Sequence, residues 1–161
     1  MDKQLKHIIS LRENGHLEEA NRLMIALLKE KPENGLYHYH CAWTYDLLGK
    51  EKEAVPHYEK AIQLGMGHED LEGTYLGLGS TYRTLGQYEQ SRKILEQAIN
   101  DFPDAEHLKI FYAMTLYNLK DHSKSMEILL NTLLTTSNHE GVNAYSKAIK
   151  FYSDKLDQIW E

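Results

Sequence analysis

Four times along the chain a turn residue and a helix-stopping position recur at matched intervals, and this double recurrence restricts the fold more than any other feature. Gly15, Gly49, Gly86 and Lys120 hold the turn, 34, 37 and 34 residues apart, and Pro32, Met66, Pro103 and Ser137 hold the stop at the same intervals. Two markers that agree fix one register. Between them stands a small residue, Ala20, Ala54, Ser91 or Ser125, followed four positions later by a large one, Met24, Tyr58, Leu95 or Leu129. Apolar residues three and four apart on both sides of the turn read as two helices packed on each other. A unit of this length cannot bury its apolar face alone, so its recurrence predicts a stacked array.

The clearest copy runs from Glu72 to Pro103. Tyr75, Leu78, Gly79 and Tyr82 lie on one helical stripe, Gly86 breaks the helix, Ser91, Leu95 and Ala98 form a second stripe, and Pro103 closes it. This order resembles the tetratricopeptide repeat, a helix-turn-helix unit of about 34 residues. The resemblance implies a short stand-alone protein of all-α class, a right-handed solenoid of antiparallel helix pairs in a single domain, residues 1–161. The repeats fall at about 1–34, 35–68, 72–105 and 106–138, with a capping helix at about 139–160.

Nine helices and no strand are therefore expected. The longer middle interval predicts a lengthened loop over residues 65–71, the longest between repeats. Pro56 lies within the second helix of its pair, so that helix either begins late or bends there. Gly73 and Gly77 depart from the repeat pattern and mark a locally soft helix, since each costs up to about 1 kcal/mol of helix propensity relative to alanine. The ninth helix is read from Val142, Tyr145, Ile149, Tyr152, Leu156 and Ile159 at spacings of three and four, one stripe that would cover Leu116, Leu129 and Leu133 of the last repeat.

Composition bears on partners. With 18 Lys and Arg against 24 Asp and Glu, the net charge of −6 offers no attraction to a phosphate backbone, and no basic run occurs, so nucleic acid is not expected as a partner. The start carries no apolar leader segment and no run approaches the roughly 20 residues of a membrane span, which makes the cytoplasm the expected location and a membrane partner unexpected. A single Cys41 on an apolar stripe reads as a core residue of a reducing compartment.

No catalytic constellation can be assembled by spacing, and neither cofactor nor metal is expected. His38 and His40, two apart on a helix, point to different sides and cannot share an ion. Gly73, Gly77 and Gly79 lie inside a helix and follow no strand, so they form no phosphate loop. The expectation is a non-enzymatic binding module.

What remains is a surface. On the first helix of the second repeat, His38, Cys41, Ala42 and Tyr45 form the packing stripe, yet a second stripe of Leu36, Tyr39, Trp43 and Leu47 is apolar too. The corresponding positions are Leu5, Ile9 and Arg12 in the first repeat, Leu76, Ser80 and Arg83 in the third, and Ile110, Met114 and Tyr117 in the fourth. By resemblance these positions, with Asp46 beside them, line a concave groove that holds a peptide or helix of a partner protein. Packing between helices accounts equally for Leu36, Leu47 and Leu76, whereas Tyr39, Trp43, Met114 and Tyr117 are the residue types of recurrent binding surfaces and are expected to be exposed. Arg12 and Arg83 read as solvated charges open to an acidic partner, and Asp46 makes the groove mixed in sign. Relatives that grip acidic chaperone tails present lysine and asparagine where this chain has Leu5, Ile9, Tyr39 and Phe111, so that clamp is missing and an amphipathic helix suits the wall better. The alternative is a self-associating module, a homodimer that buries the same apolar surface.

Overall fold

The computed structural model describes residues 2–160, and every regular element among them is an α-helix. There are ten: α1 Lys3–Glu13, α2 Leu17–Glu30, α3 Gly35–Leu47, α4 Glu51–Leu64, α5 His68–Thr84, α6 Tyr88–Asp101, α7 Glu106–Asn118, α8 His122–Thr136, α9 Glu140–Ala144 and α10 Ser146–Tyr152. The four recurring turn positions all adopt the left-handed conformation, with φ of 83° at Gly15, 67° at Gly49, 75° at Gly86 and 68° at Lys120. A left-handed residue just past a helix lets the next amides bond back to its last carbonyls. The amides of His16, Lys50 and Asp121 do so to the carbonyls of Leu11, Tyr45 and Leu116. Glycine takes this conformation without steric cost; Lys120 adopts it despite its Cβ because the same turn geometry is imposed around it.

The chain divides into two compact units, Met1–Gly86 and Gln87–Glu161. In the first, Leu5, Ile8, Ala20, Met24, Leu27, Leu28, Tyr37 and Cys41 form one buried cluster. Burial pushes the Cys41 thiol up to about 12, so it is an inert core residue at neutral pH. In the second, Leu95, Ala98, Phe102, Leu108, Ala113 and Leu116 are buried. The small positions Ala20, Ala54, Ser91 and Ser125 are all buried. The two serines keep their hydroxyls satisfied: Ser91 Oγ lies 2.9 Å from Thr115 Oγ1, and Ser125 Oγ donates to the Ala113 carbonyl at 2.7 Å.

Two expectations are corrected, and of the two alternatives left open at Pro56 one is removed. The extra residues of the middle interval lengthen a helix rather than a loop: α5 has 17 residues against 13 in α3 and α7, and only residues 65–67 link it to α4. Glu69 and Asp70, placed in the loop by the sequence reading, lie in the first turn of α5, where negative charge complements the helix dipole. Helix α4 begins at Glu51 and continues through the exposed Pro56, so it does not begin late. The single helix over 139–160 is two short ones, parted at Tyr145 and ended at Tyr152. Helix α10 packs on α8, where Lys150 Nζ donates to Asn131 Oδ1, but Leu133 stays 44% exposed, Tyr145 70% and Ile159 90%. An apolar stripe sustains a helix only where it finds a surface to bury against, and most of this one does not.

Candidate binding surface

Helices α1, α3 and α5 of the first unit carry most of the candidate groove residues. On α3 the packing stripe behaves as expected at Cys41 and Ala42, which are fully buried, while His38 and Tyr45 are half-buried against His57 of α4. The second stripe runs along the surface: Leu36 and Tyr39 are half-buried, Trp43 is 38% exposed and Leu47 49%. His38 and His40 diverge. His38 Nε2 donates to the Pro32 carbonyl and its Nδ1 lies 2.9 Å from His57 Nδ1, whereas His40 faces α1.

Trp43 is held from behind. The Arg12 guanidinium lies 3.7 Å from its ring centroid, Tyr39 flanks it at 5.8 Å, and the His40 ring lies nearly parallel to it at 6.3 Å. Arg12 is only 6% exposed, which corrects its reading as a solvated charge. The long side chain crosses from α1 to α3 and lays one face of its guanidinium on the Trp43 ring. Its Nη1 donates to His40 Nδ1 at 3.2 Å. Burial, and then the neighbouring Arg12 charge, pull the His40 imidazole down to about 4, so at neutral pH it is an uncharged acceptor with its proton on Nε2.

Asp46 is half-buried, and its carboxylate accepts the Tyr58 hydroxyl at 2.7 Å and the Thr81 hydroxyl at 2.9 Å. Desolvation raises its carboxyl above the usual range, and those two hydrogen bonds offset part of the rise. Leu5, also read as a groove residue, is fully buried in the core and leaves the surface; Ile9 is half-buried against that core. Leu76, Ser80 and Arg83 of α5 are half-buried.

Gly73 and Gly77 are not soft points. A Cβ on Gly73 would lie 2.7 Å from the Tyr39 hydroxyl, and one on Gly77 would lie 2.5 Å from Cζ of the buried Tyr58. With Thr81, they place three small residues four apart on one face of α5, against which the Tyr39 and Tyr58 side chains seat. That spacing was visible in the sequence and is the signal that could have found Tyr58 and Thr81 as the backing of the wall; His40, which faces α1, has no such signal. In the second unit, Ile110 is 38% and Tyr117 59% exposed, Met114 is half-buried, and the Tyr117 ring packs on His122 at 4.8 Å.

Among the described residues no three of His, Cys, Asp and Glu come together as metal ligands would. No helix among the described residues is long and apolar enough to cross a membrane. A depression of about 410 Å³ between α1 and α2 is lined by Ile8, Leu23 and Leu27 and includes none of the wall residues.

Successive helix pairs closed by left-handed turns and seated on buried small residues define a helical repeat protein. A family model described as Tetratrico peptide repeat matches residues 35–156, more than half of the chain, and the chain belongs to the tetratricopeptide repeat family. No curated protein matches it. Among solved structures it is similar to a chain of the APC/C hetero-tetramer Cut9-Hcn1, at a TM-score of 0.74 and 16% identity over 91% of this chain and 29% of that one. It thus spans less than a third of that protein's chain. It is also similar to YrrB, described as a TPR protein with an unusual peptide-binding site, at a TM-score of 0.66 and 18% identity over 96% of this chain and 86% of that one. A third is MamA residues 41 to the end from Desulfovibrio magneticus RS-1, at a TM-score of 0.72 and 15% identity over 99% of both chains. At such identities the likeness is one of fold.

Proposed function

We propose that the protein is a non-enzymatic, cytoplasmic scaffold that holds a peptide or amphipathic helix of a partner protein against the α1, α3 and α5 face. The observation that carries the reading is Trp43, a large aromatic side chain left 38% exposed yet fixed by Arg12, Tyr39 and His40. An anchor ordered before binding has little rotamer entropy left to lose, which is the property of residues that dominate interfaces. Ile110 and Tyr117 offer a second exposed apolar patch of the same kind in the other unit.

Self-association is the second reading, supported by Phe151, Tyr152 and Trp160, which cluster with ring centroids 5.1 to 6.3 Å apart while each is about half exposed. One experiment separates the two. Peptides selected from a displayed library against the protein should lose about 2 kcal/mol or more of affinity for Trp43→Ala, with folding stability changed by less than about 1 kcal/mol. Selected peptides indifferent to Trp43→Ala refute the scaffold site. A light-scattering mass that doubles with concentration in the parent, and stays monomeric in Phe151→Ser, supports self-association in its place.

A further inference from the structure

Two formal charges of α1 and α3, Arg12 and Asp46, belong to the wall around Trp43, and the fold provides for them unequally. Asp46 is supplied: its oxygens accept hydroxyls from Tyr58 and Thr81. Arg12 is not. It is more than nine-tenths buried, and among the described residues no carboxylate lies within ion-pair distance of it. Its side-chain neighbours are the neutral His40, which lends one lone pair, and the Trp43 ring, which lends a quadrupole. Glu13, next in the chain, is exposed and acts on it only from a distance. A cation buried without a counter-ion weakens a fold unless something outside the fold completes it.

We infer, resting on the peptide-binding reading above, that the partner segment is acidic: it brings an Asp or Glu side chain to Arg12 while an adjacent apolar residue lies on Trp43 and Tyr39. Charge complementarity selects this occupant. A carboxylate supplies the counter-ion that the wall lacks, through a charge-assisted bond to a donor already held in place. A basic segment meets the opposite situation. The Trp43 ring already faces one cation, and Asp46, the acid that α3 brings to the wall, has its oxygens engaged by Tyr58 and Thr81. The preferred ligand is therefore an amphipathic helix whose apolar stripe is bordered by acids one turn away.

Trp160→Phe leaves Trp43 as the one tryptophan, so its fluorescence reports the wall directly. Three synthetic helical peptides with the same apolar stripe, bordered by Glu, Gln or Lys, serve as probes. The Glu peptide should bind about tenfold more tightly than the Gln peptide at low salt, the gap should shrink with added NaCl, and the Lys peptide should be weakest. Arg12→Met keeps an apolar stem on Trp43 and removes the charge. It should melt no lower than the parent, retain the Gln peptide, and lose the preference for Glu. Glu and Gln peptides of equal affinity, or a Glu preference that survives Arg12→Met, overturn the acidic site and leave the peptide-binding reading standing. A marked fall in melting temperature for Arg12→Met also overturns it, because the cation is then balanced inside the fold. If no probe alters Trp43 fluorescence, both readings fall together.

Discussion

Gly77→Ala sets two opposed effects of known size against each other. In an exposed helix the change stabilises by up to about 1 kcal/mol, because alanine is the better helix former. Here the new Cβ would stand 2.5 Å from Tyr58 Cζ, 2.6 Å from its hydroxyl and 2.7 Å from Cε1. Contacts that short do not survive, so a neighbour has to move. Tyr58 is 2% exposed and its hydroxyl is tied to Asp46, which leaves it little room. Overpacking of such a site costs about 1 to 3 kcal/mol and more where the neighbour is pinned. The net expectation is a loss of about 1 to 2 kcal/mol, or roughly 2 to 8 °C in melting temperature for a chain of this size. Gly73→Ala is the internal control. Its Cβ would meet only the hydroxyl end of the half-buried Tyr39, which can swing away, so the gain in propensity should bring that variant near neutrality. Urea unfolding followed by circular dichroism measures both. If Gly77→Ala is as stable as the parent, or the two variants lose equal stability, the close seating of Tyr58 on α5 is not what requires glycine there.

Stability should also depend on pH through His40. Its folded-state pKa of about 4 lies below the unfolded value of about 6.5, so between these values the unfolded chain binds a proton that the folded chain refuses. The stabilisation is complete above the unfolded value and is lost as pH falls toward 4, by about 3 kcal/mol in total. His40→Gln retains an acceptor for Arg12 and should flatten that part of the urea-derived stability profile; an unchanged slope would place the titration elsewhere. Ala61→Leu, at a fully buried crossing in α4, should cost about 1 to 3 kcal/mol, while Lys60→Leu next to it should be nearly neutral, and equal losses in thermal melts would mean that the faces of α4 are misassigned.

The sequence by itself determined the repeat. Turn, small-residue and large-residue positions reappear every 34 to 37 residues, and each is a local requirement: a left-handed turn asks for glycine, and a close helix crossing asks for alanine or serine. Such requirements are written at single positions, so they can be read without knowing what lies across the crossing. The class of the fold and the register of Ala20, Ala54, Ser91 and Ser125 followed from them. Which side of each helix meets a neighbour was also legible wherever the stripe was strong, as at Cys41 and Ala42.

What depends on distant neighbours was decided by the tertiary structure alone. Leu5 and Trp43 occupy equivalent stripes, yet one is fully buried and the other exposed, because the first helix packs that stripe into the core cluster and α3 turns it outward. Arg12 looked like a surface charge because periodicity assigns a residue to a face and says nothing of a side chain long enough to cross to the next helix. Gly73 and Gly77 looked like weak points because helix propensity is local, while their reason is the pair of tyrosines that approach from α3 and α4. The C-terminal stripe failed in the opposite direction: its spacing is regular, but a helix this short persists only against a surface to bury on, and past Tyr152 its residues find none. Position along the chain carries backbone requirements; the cost or gain of burying a charge, a ring or a stripe exists only between elements, and so only the assembled helices set it.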